Sequence, residues 1–400
     1  MKKQQKSPWK PLLLALFLGG LGLLCGYYAG TFIKSYLPLR AMEPHGTGEK
    51  VLFLLLVFFA IWVVIAFHEL GHLLTGIAQG FRVALYTAGF LGVRGTATGV
   101  RFFFNRSLNT MGGLAATFPE HLESGPDLRR KFVRIVAAGP LSSLFLSVIA
   151  LLAAYFILQN PGASPGLAMR AGTVFLLVTG FMSAMIFLAT MIPSRAGGFM
   201  SDGARLISLL DKGEKGLYEE AALSVLVLLG AGKLPGEYPV DLLDRLKTRP
   251  PDSLLGLNGH FLVFSHHLDR DETERALHYA KIVEDNIDAA PAPFQPYYLK
   301  DIVFFYAFLA QDAEAAHACW DIIEKKAEKD PDAATFKAKA ALALLENKTD
   351  LAIEFAEKGL TKVTDLPFEG QRRFEEKWLW AVLQRTKTYP QNIEVTSVPI

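Results

Sequence analysis

The sequence predicts a mainly α-helical protein of two unlike parts. The first is a polytopic helical membrane domain of about four spans with a short membrane-associated β segment. The second is a soluble α-helical-hairpin domain of tetratricopeptide-like character. Three observations predict this. In a chain that is 51% hydrophobic, four apolar stretches before Leu210 reach the roughly 20 residues a bilayer-crossing helix needs. Acidic residues are scarce in that part: only Glu43, Glu49, Glu69, Glu120, Glu123, Asp127 and Asp202 occur, of 39 in the chain. With 18 of the 41 basic residues on the same side, residues 1–210 carry about +11 and the remainder about −9, so the net charge of +2 conceals two differently built halves meeting near Asp211. Beyond that point, amphipathic stretches alternate with short polar breaks.

Taken in order, residues 1–50 form an N-terminal membrane anchor and a short external loop. The anchor runs from about Pro11 to Ser35, behind Lys2, Lys3, Lys6 and Lys10, and no clean small-residue cleavage site follows it. A second span covers Val51–Ala78, a third runs from about Val133 to Leu158, and a fourth from about Ala171 to Ile192. The segment 81–119 is rich in β-branched and aromatic residues with Gly punctuation, which predicts short strands joined by tight turns, lying against or dipping into the membrane surface. Residues 51–210 thus make up the membrane core. Residues 212–400 make up the helical-hairpin domain, in which Ala276, Ala316 and Ala352 recur at matching points, 40 and 36 residues apart.

Basic residues set the orientation. The N-terminus and the segment between spans two and three (Arg82, Arg94, Arg101, Arg106, Arg129, Arg130, Lys131) are basic, whereas 38–50 and 159–170 are short and nearly neutral. Basic loops stay cytosolic, so the N-terminus and the helical domain are expected in the cytosol, and the membrane is expected to be a bacterial cytoplasmic membrane. Cys25 and Cys319 lie in different halves, which argues against a disulfide framework and excludes a cysteine-based zinc motif. No nucleic-acid partner is expected.

The chemistry is concentrated in span two. His68-Glu69-Leu70-Gly71-His72 lies in a stretch where Glu69 is the only formally charged residue, and ionisable side chains in hydrocarbon are costly enough to mark function. Residues four apart share a helix face, so His68 and His72 can grip one metal ion with Glu69 beside it as general base. His68 falls roughly 26 Å along a helix that begins outside at Val51, just inside the cytosolic boundary and within reach of water.

A catalytic zinc takes three protein ligands and leaves a fourth position open. The scarcity of acids narrows the search for the third. Glu43, His45 and Glu49 fall on the outer side, and Glu120, His121, Glu123 and Asp127 lie in a polar, loop-like stretch. Asp202 remains, after Pro193 and Gly197-Gly198 interrupt the fourth span and before apolar helix resumes around Ala204–Leu210. Ser201 and Asp202 also suit a helix cap, a role compatible with metal binding.

HELGH followed by Asp202-Gly203, with Ala137-Ala138-Gly139-Pro140-Leu141-Ser142-Ser143 on the span between, resembles the site-2 protease family of intramembrane zinc metalloproteases. The resemblance covers about residues 51–210. It implies one zinc ion held by His68, His72 and Asp202, a zinc-bound water activated by Glu69, and membrane-spanning or membrane-embedded substrates cut near the cytosolic face. Ser143 stands where that family often has Asn, as does Thr190 in Thr190-Met191-Ile192-Pro193. Gly112, Gly113, Ser143 and Thr190 are the candidate substrate-binding positions.

Two other readings stand beside this one. A prenyl-protein-processing type of membrane metalloprotease would need Glu120 or Glu123 as a ligand. A non-proteolytic membrane scaffold would use the helical domain as an adaptor. Besides the substrate and the lipid bilayer, a cytosolic protein partner bound through the acidic helical domain is the remaining expected contact.

Overall fold

The computed structural model describes residues 42–106, 111–119, 125–160, 165–196, 199–329 and 331–388. The predicted first span and Glu120, His121 and Glu123 lie outside them. Among the described residues, three helices are long and apolar enough to cross a membrane: α1 (Gly46–Ala78), α2 (Gly125–Gln159) and α3 (Leu167–Met191). Each begins before its apolar run. α1 starts five residues ahead of Val51, and α2 includes Asp127, which the sequence places in a loop-like stretch, and Arg129-Arg130-Lys131, ahead of the span expected from about Val133. Polar residues at these ends extend the helix because backbone hydrogen bonding propagates past the apolar segment at little cost.

Between α1 and α2 lie four antiparallel strands, β1 (Phe81–Ala88), β2 (Leu91–Thr96), β3 (Gly99–Phe104) and β4 (Leu114–Pro119), in the order β3-β2-β1-β4. Consecutive hairpins join β1 to β2 and β2 to β3, with Leu85 opposite Arg94 and Arg94 opposite Arg101, while β4 returns to the other edge with Tyr86 opposite Ala115. The sheet carries the signature of a surface element with an apolar face. Val100, Phe102 and Phe104 alternate along β3 and are all exposed, and Phe90 stacks on Phe104 at 5.4 Å. Tyr86 donates its hydroxyl to the carbonyl of Ala66 at 3.0 Å, tying β1 to α1.

After α3 the chain makes a small hairpin, β5 (Arg195–Ala196) with β6 (Phe199–Met200), and re-enters helix as α4 (Asp202–Leu210). The helical remainder follows as α5 (Glu214–Gly230), α6 (Val240–Leu246), α7 (Leu254–Asp269), α8 (Thr273–Asp285), α9 (Gln295–Phe304), α10 (Ala313–Ala327), α11 (Ala333–Leu345), α12 (Thr349–Lys362) and α13 (Glu369–Thr388).

The chain divides into two compact units. Among the described residues, one holds 42–64 and those within 145–184, and the other those within 65–144 and 185–388. In the first, Arg170 reaches Glu49 at 2.6 Å and the Glu43 carbonyl at 3.4 Å, joining the N-terminal ends of α1 and α3, and Phe59 stacks on Phe175. In the second, the helices from α7 to α12 form three successive hairpins. The turns carry Asp271, Gln311 and Asn347, the three described non-glycine residues with positive φ. A left-handed residue at a helix end lets the next N–H groups close back on the last carbonyls: Glu272 donates to His267, Asp312 to Tyr306 and Lys348 to Ala343. Five residues after each turn comes Ala276, Ala316 or Ala352, all fully buried. The recurring alanines of the sequence are therefore the close-contact positions of three hairpins built alike. The longer first interval contains the extra turn Ile287–Ala289 and a wide turn at Phe305–Ala310.

Packing runs across Asp211. Leu209 of α4 and Leu223 and Val227 of α5 share one apolar cluster with Phe81, Leu128 and Ile135.

Candidate metal centre

Three chain segments of the second unit meet at one point. The helical repeat places His68 and His72 on one face of α1, their ring centroids 5.0 Å apart. Asp202 arrives as the first residue of α4. Ser201 caps that helix by accepting from the Ala204 N–H at 3.3 Å, which frees Asp202 to point away from its own backbone. Its carboxylate oxygens lie 3.2 Å from His68 Nε2 and 3.5 Å from His72 Nε2. The three ligand atoms all fall within 4.8 Å of one another, the arrangement a metal ion requires.

The donor set fits a metal. Ligand atoms held at about 2.0–2.1 Å around a tetrahedral ion are about 3.3 Å from each other, close to the two separations seen. Both imidazoles are also oriented from behind. His72 Nδ1 donates to the Ile135 carbonyl at 2.8 Å; since a carbonyl only accepts, the Nε2 lone pair is left facing Asp202. His68 Nδ1 lies 2.9 Å from the Ser143 hydroxyl.

A cavity of about 460 Å³ opens onto this point. Its wall includes Glu69, Gly113 and the β4 residues Leu114–Thr117 on one side and Thr190, Asp202 and Arg205 on another. Glu69 is one residue along the helix from His68, so its carboxylate faces the cavity while the imidazoles face Asp202. Gly113, at φ 98°, packs against the Glu69 side chain where a Cβ would clash.

The four candidate substrate-binding positions divide. Gly113 and Thr190 line the cavity. Gly112 has open space around it. Ser143 is fully buried and is absent from the cavity wall, its hydroxyl turned to His68. Sequence reasoning did not single out the Ile135 carbonyl or Arg205. Gly139 was read only as part of a motif, yet a Cβ there would overlap the His72 ring. The legible signal was a glycine in the middle of a helix, where it weakens the helix relative to alanine.

His260, His266, His267, His278 and His317, which have no ligand-like spacing, form no second group of three or more metal-ligating side chains among the described residues. The comparisons with known proteins agree with the geometry. The family model described as peptidase family M50 matches residues 56–363. No curated protein and no solved structure matches the chain.

Proposed function

The chain belongs to peptidase family M50, the site-2 protease family of membrane metallopeptidases, and from that membership we propose that it is an intramembrane zinc metalloprotease. The three apolar helices and the family together make it an integral membrane protein. The proposed reaction is hydrolysis of a peptide bond in a membrane-spanning or membrane-embedded substrate near the cytosolic face. The observation that carries this reading is the convergence of His68, His72 and Asp202 on a cavity that also holds Glu69.

In this reading His68, His72 and Asp202 hold the ion. When bound, zinc supplies Lewis acidity, which polarises a carbonyl and makes a neighbouring water more acidic. Glu69 takes the proton of the attacking water and returns it to the leaving amine nitrogen as the C–N bond breaks. The Ile135 carbonyl keeps His72 in the tautomer that leaves Nε2 free, and Ser143 holds the His68 ring from its Nδ1 side.

The substrate must present an unwound backbone, because an intact helix hydrogen-bonds its own amides. β4 is an edge strand beside the cavity, and an extended segment can add along it. The exposed Val100, Phe102 and Phe104 of β3 suit contact with lipid. Residues 212–400 are proposed as a cytosolic helical-hairpin, tetratricopeptide-like domain whose acidic surface would take a basic protein partner.

The test is Glu69→Gln, with zinc content and cleavage of a model transmembrane substrate measured on the same preparation. The expected result is retained zinc and a cleavage rate lower by about 10²–10⁴-fold. Wild-type cleavage in this variant would discard the protease reading and favour a membrane scaffold.

A further inference from the structure

Glu219 is among the most deeply buried charged residues of the described chain, with no exposed surface, and the mechanism above does not use it. It lies on α5, the first long helix after the charge boundary, and its carboxylate faces α4. Ser208 donates its hydroxyl to Oε1 at 3.0 Å, and the Arg205 guanidinium lies 3.0 Å from Oε2. Arg205 and Ser208 are three residues apart and so occupy one face of α4. That is the helix whose first residue is Asp202.

The placement of α4 decides where the Asp202 carboxylate goes. Among the described residues that carboxylate meets only the two imidazoles, and no other side chain orients it. α4 is nine residues long, and its cap Ser201 is tied back to the end of α3, donating to the Ile192 carbonyl at 2.8 Å and accepting from the Ser194 N–H at 3.0 Å. Three further contacts fix it. Gly203 packs directly on the Met191 carbonyl, where a Cβ would overlap it. Leu209 enters the cluster with Leu223 and Val227. Glu219 grips the middle of the helix. α2 holds both helices: Arg129 donates to the carbonyl of Asp211, the C-cap of α4, at 3.0 Å and lies 3.8 Å from Glu220 on α5.

We propose that Glu219 is a positioning residue of the metal centre: through Ser208 and Arg205 it sets the place of α4 and thereby presents Asp202 to His68 and His72. The first helix beyond Asp211 then belongs to the working scaffold of the site, and a disturbance of α5 would be felt at the metal. A buried carboxylate suits this task because it accepts a directed bond from Ser208 and its loss leaves an arginine without a counter-charge. Arg205 also lines the cavity, so the same anchor holds the cation nearest the reacting groups on α4.

The inference rests on the metal-centre reading, and the experiment separates the two. Full-length protein is purified in detergent, stripped and reloaded with Zn²⁺ or Co²⁺. Zn²⁺ affinity is measured by chelator competition, and Co²⁺ coordination by its visible absorption. Glu219→Gln is expected to weaken Zn²⁺ binding by about tenfold or more, in the range of outer partners of metal ligands, and to change the Co²⁺ bands. Glu214→Gln, at an exposed carboxylate on the same helix, should leave both within about twofold.

Where Glu219→Gln does not yield folded protein, Ser208→Ala and Arg205→Lys decide. Ser208→Ala should weaken binding about threefold with a visible change in the Co²⁺ bands, and Arg205→Lys, which keeps the charge pair, should restore most of what Arg205→Met loses. Wild-type affinity and bands in Glu219→Gln, or in Ser208→Ala when only that variant folds, would overturn the proposal. Failure of the wild-type protein to bind metal, or binding indifferent to Asp202→Ala, would instead overturn the metal-centre reading.

Discussion

Two regions of the second unit bury ionisable groups, and they do so to opposite ends. In the helical hairpins Lys337 is fully buried, 2.8 Å from Asp301 and 3.0 Å from Glu375, with the rings of Phe304 and Phe374 over its ammonium group. The chain supplies its own cation there, and aromatic side chains close over it. At His68, His72 and Asp202 the lone pairs of three ligands converge with no lysine or arginine among them, and they do so beside an open cavity. Burial of charge alone therefore says little about function. What separates structure from site is whether the neutralising cation comes from the chain and whether solvent or substrate can reach the cluster.

This contrast can be broken most forcefully at Lys337. Lys337→Met strands Asp301 and Glu375 in the core and is expected to cost about 3–5 kcal/mol. Thermal unfolding should register it while zinc stoichiometry stays at the wild-type value; loss of zinc would mean the two clusters are not independent.

On the other side of the comparison, Gly139→Ala pushes a methyl group into the His72 ring. Zn²⁺ affinity should fall about 100-fold, as read by chelator competition, with little change in the melting of the hairpins. Ser143→Ala removes only the partner of His68 Nδ1, and about a tenfold loss in the same assay is expected. A full loss of binding there would place Ser143 in a larger role than orienting one imidazole.

A pH scan sharpens the difference further. Burial pushes the Glu375 carboxyl up, to about 7, against the opposing pull of Lys337. The folded state then holds this proton more tightly than the unfolded one, so the group's stabilisation is complete below the ordinary carboxylate range and is lost as pH rises through about 7. Melting of the hairpins should drop by about 2–4 °C between pH 6 and 8, and Glu375→Gln should flatten that slope. The smallest effect belongs to the exposed Arg101–Asp365 pair at 3.4 Å. Arg101→Ala should alter stability by less than about 0.5 kcal/mol in the same melts, and a larger shift would show that the sheet depends on this contact.

Much of this molecule is legible in the sequence, because the signals are local or compositional. Apolar length marks α1, α2 and α3, and β-branched and aromatic residues with Gly punctuation mark the sheet. The recurrence of Ala276, Ala316 and Ala352 anticipates three like-built hairpins, since a close helix contact leaves room only for a small side chain. The i, i+4 spacing in HELGH places His68 and His72 on one face by helix geometry alone. Asp202 stood out because so few acids share its half of the chain.

What the sequence could not express is which surfaces face each other. That Ser143 turns to His68 and not to the cavity, that the Ile135 carbonyl selects the His72 tautomer, that Gly139 makes room for the His72 ring, and that Glu219 reaches back to α4 all depend on the packing of segments far apart in the chain. Helix periodicity assigns a residue to a face, and composition assigns a segment to a solvent. Only tertiary packing pairs one face with another, and at this site that pairing brings Asp202 to the two imidazoles and Glu69 to the cavity.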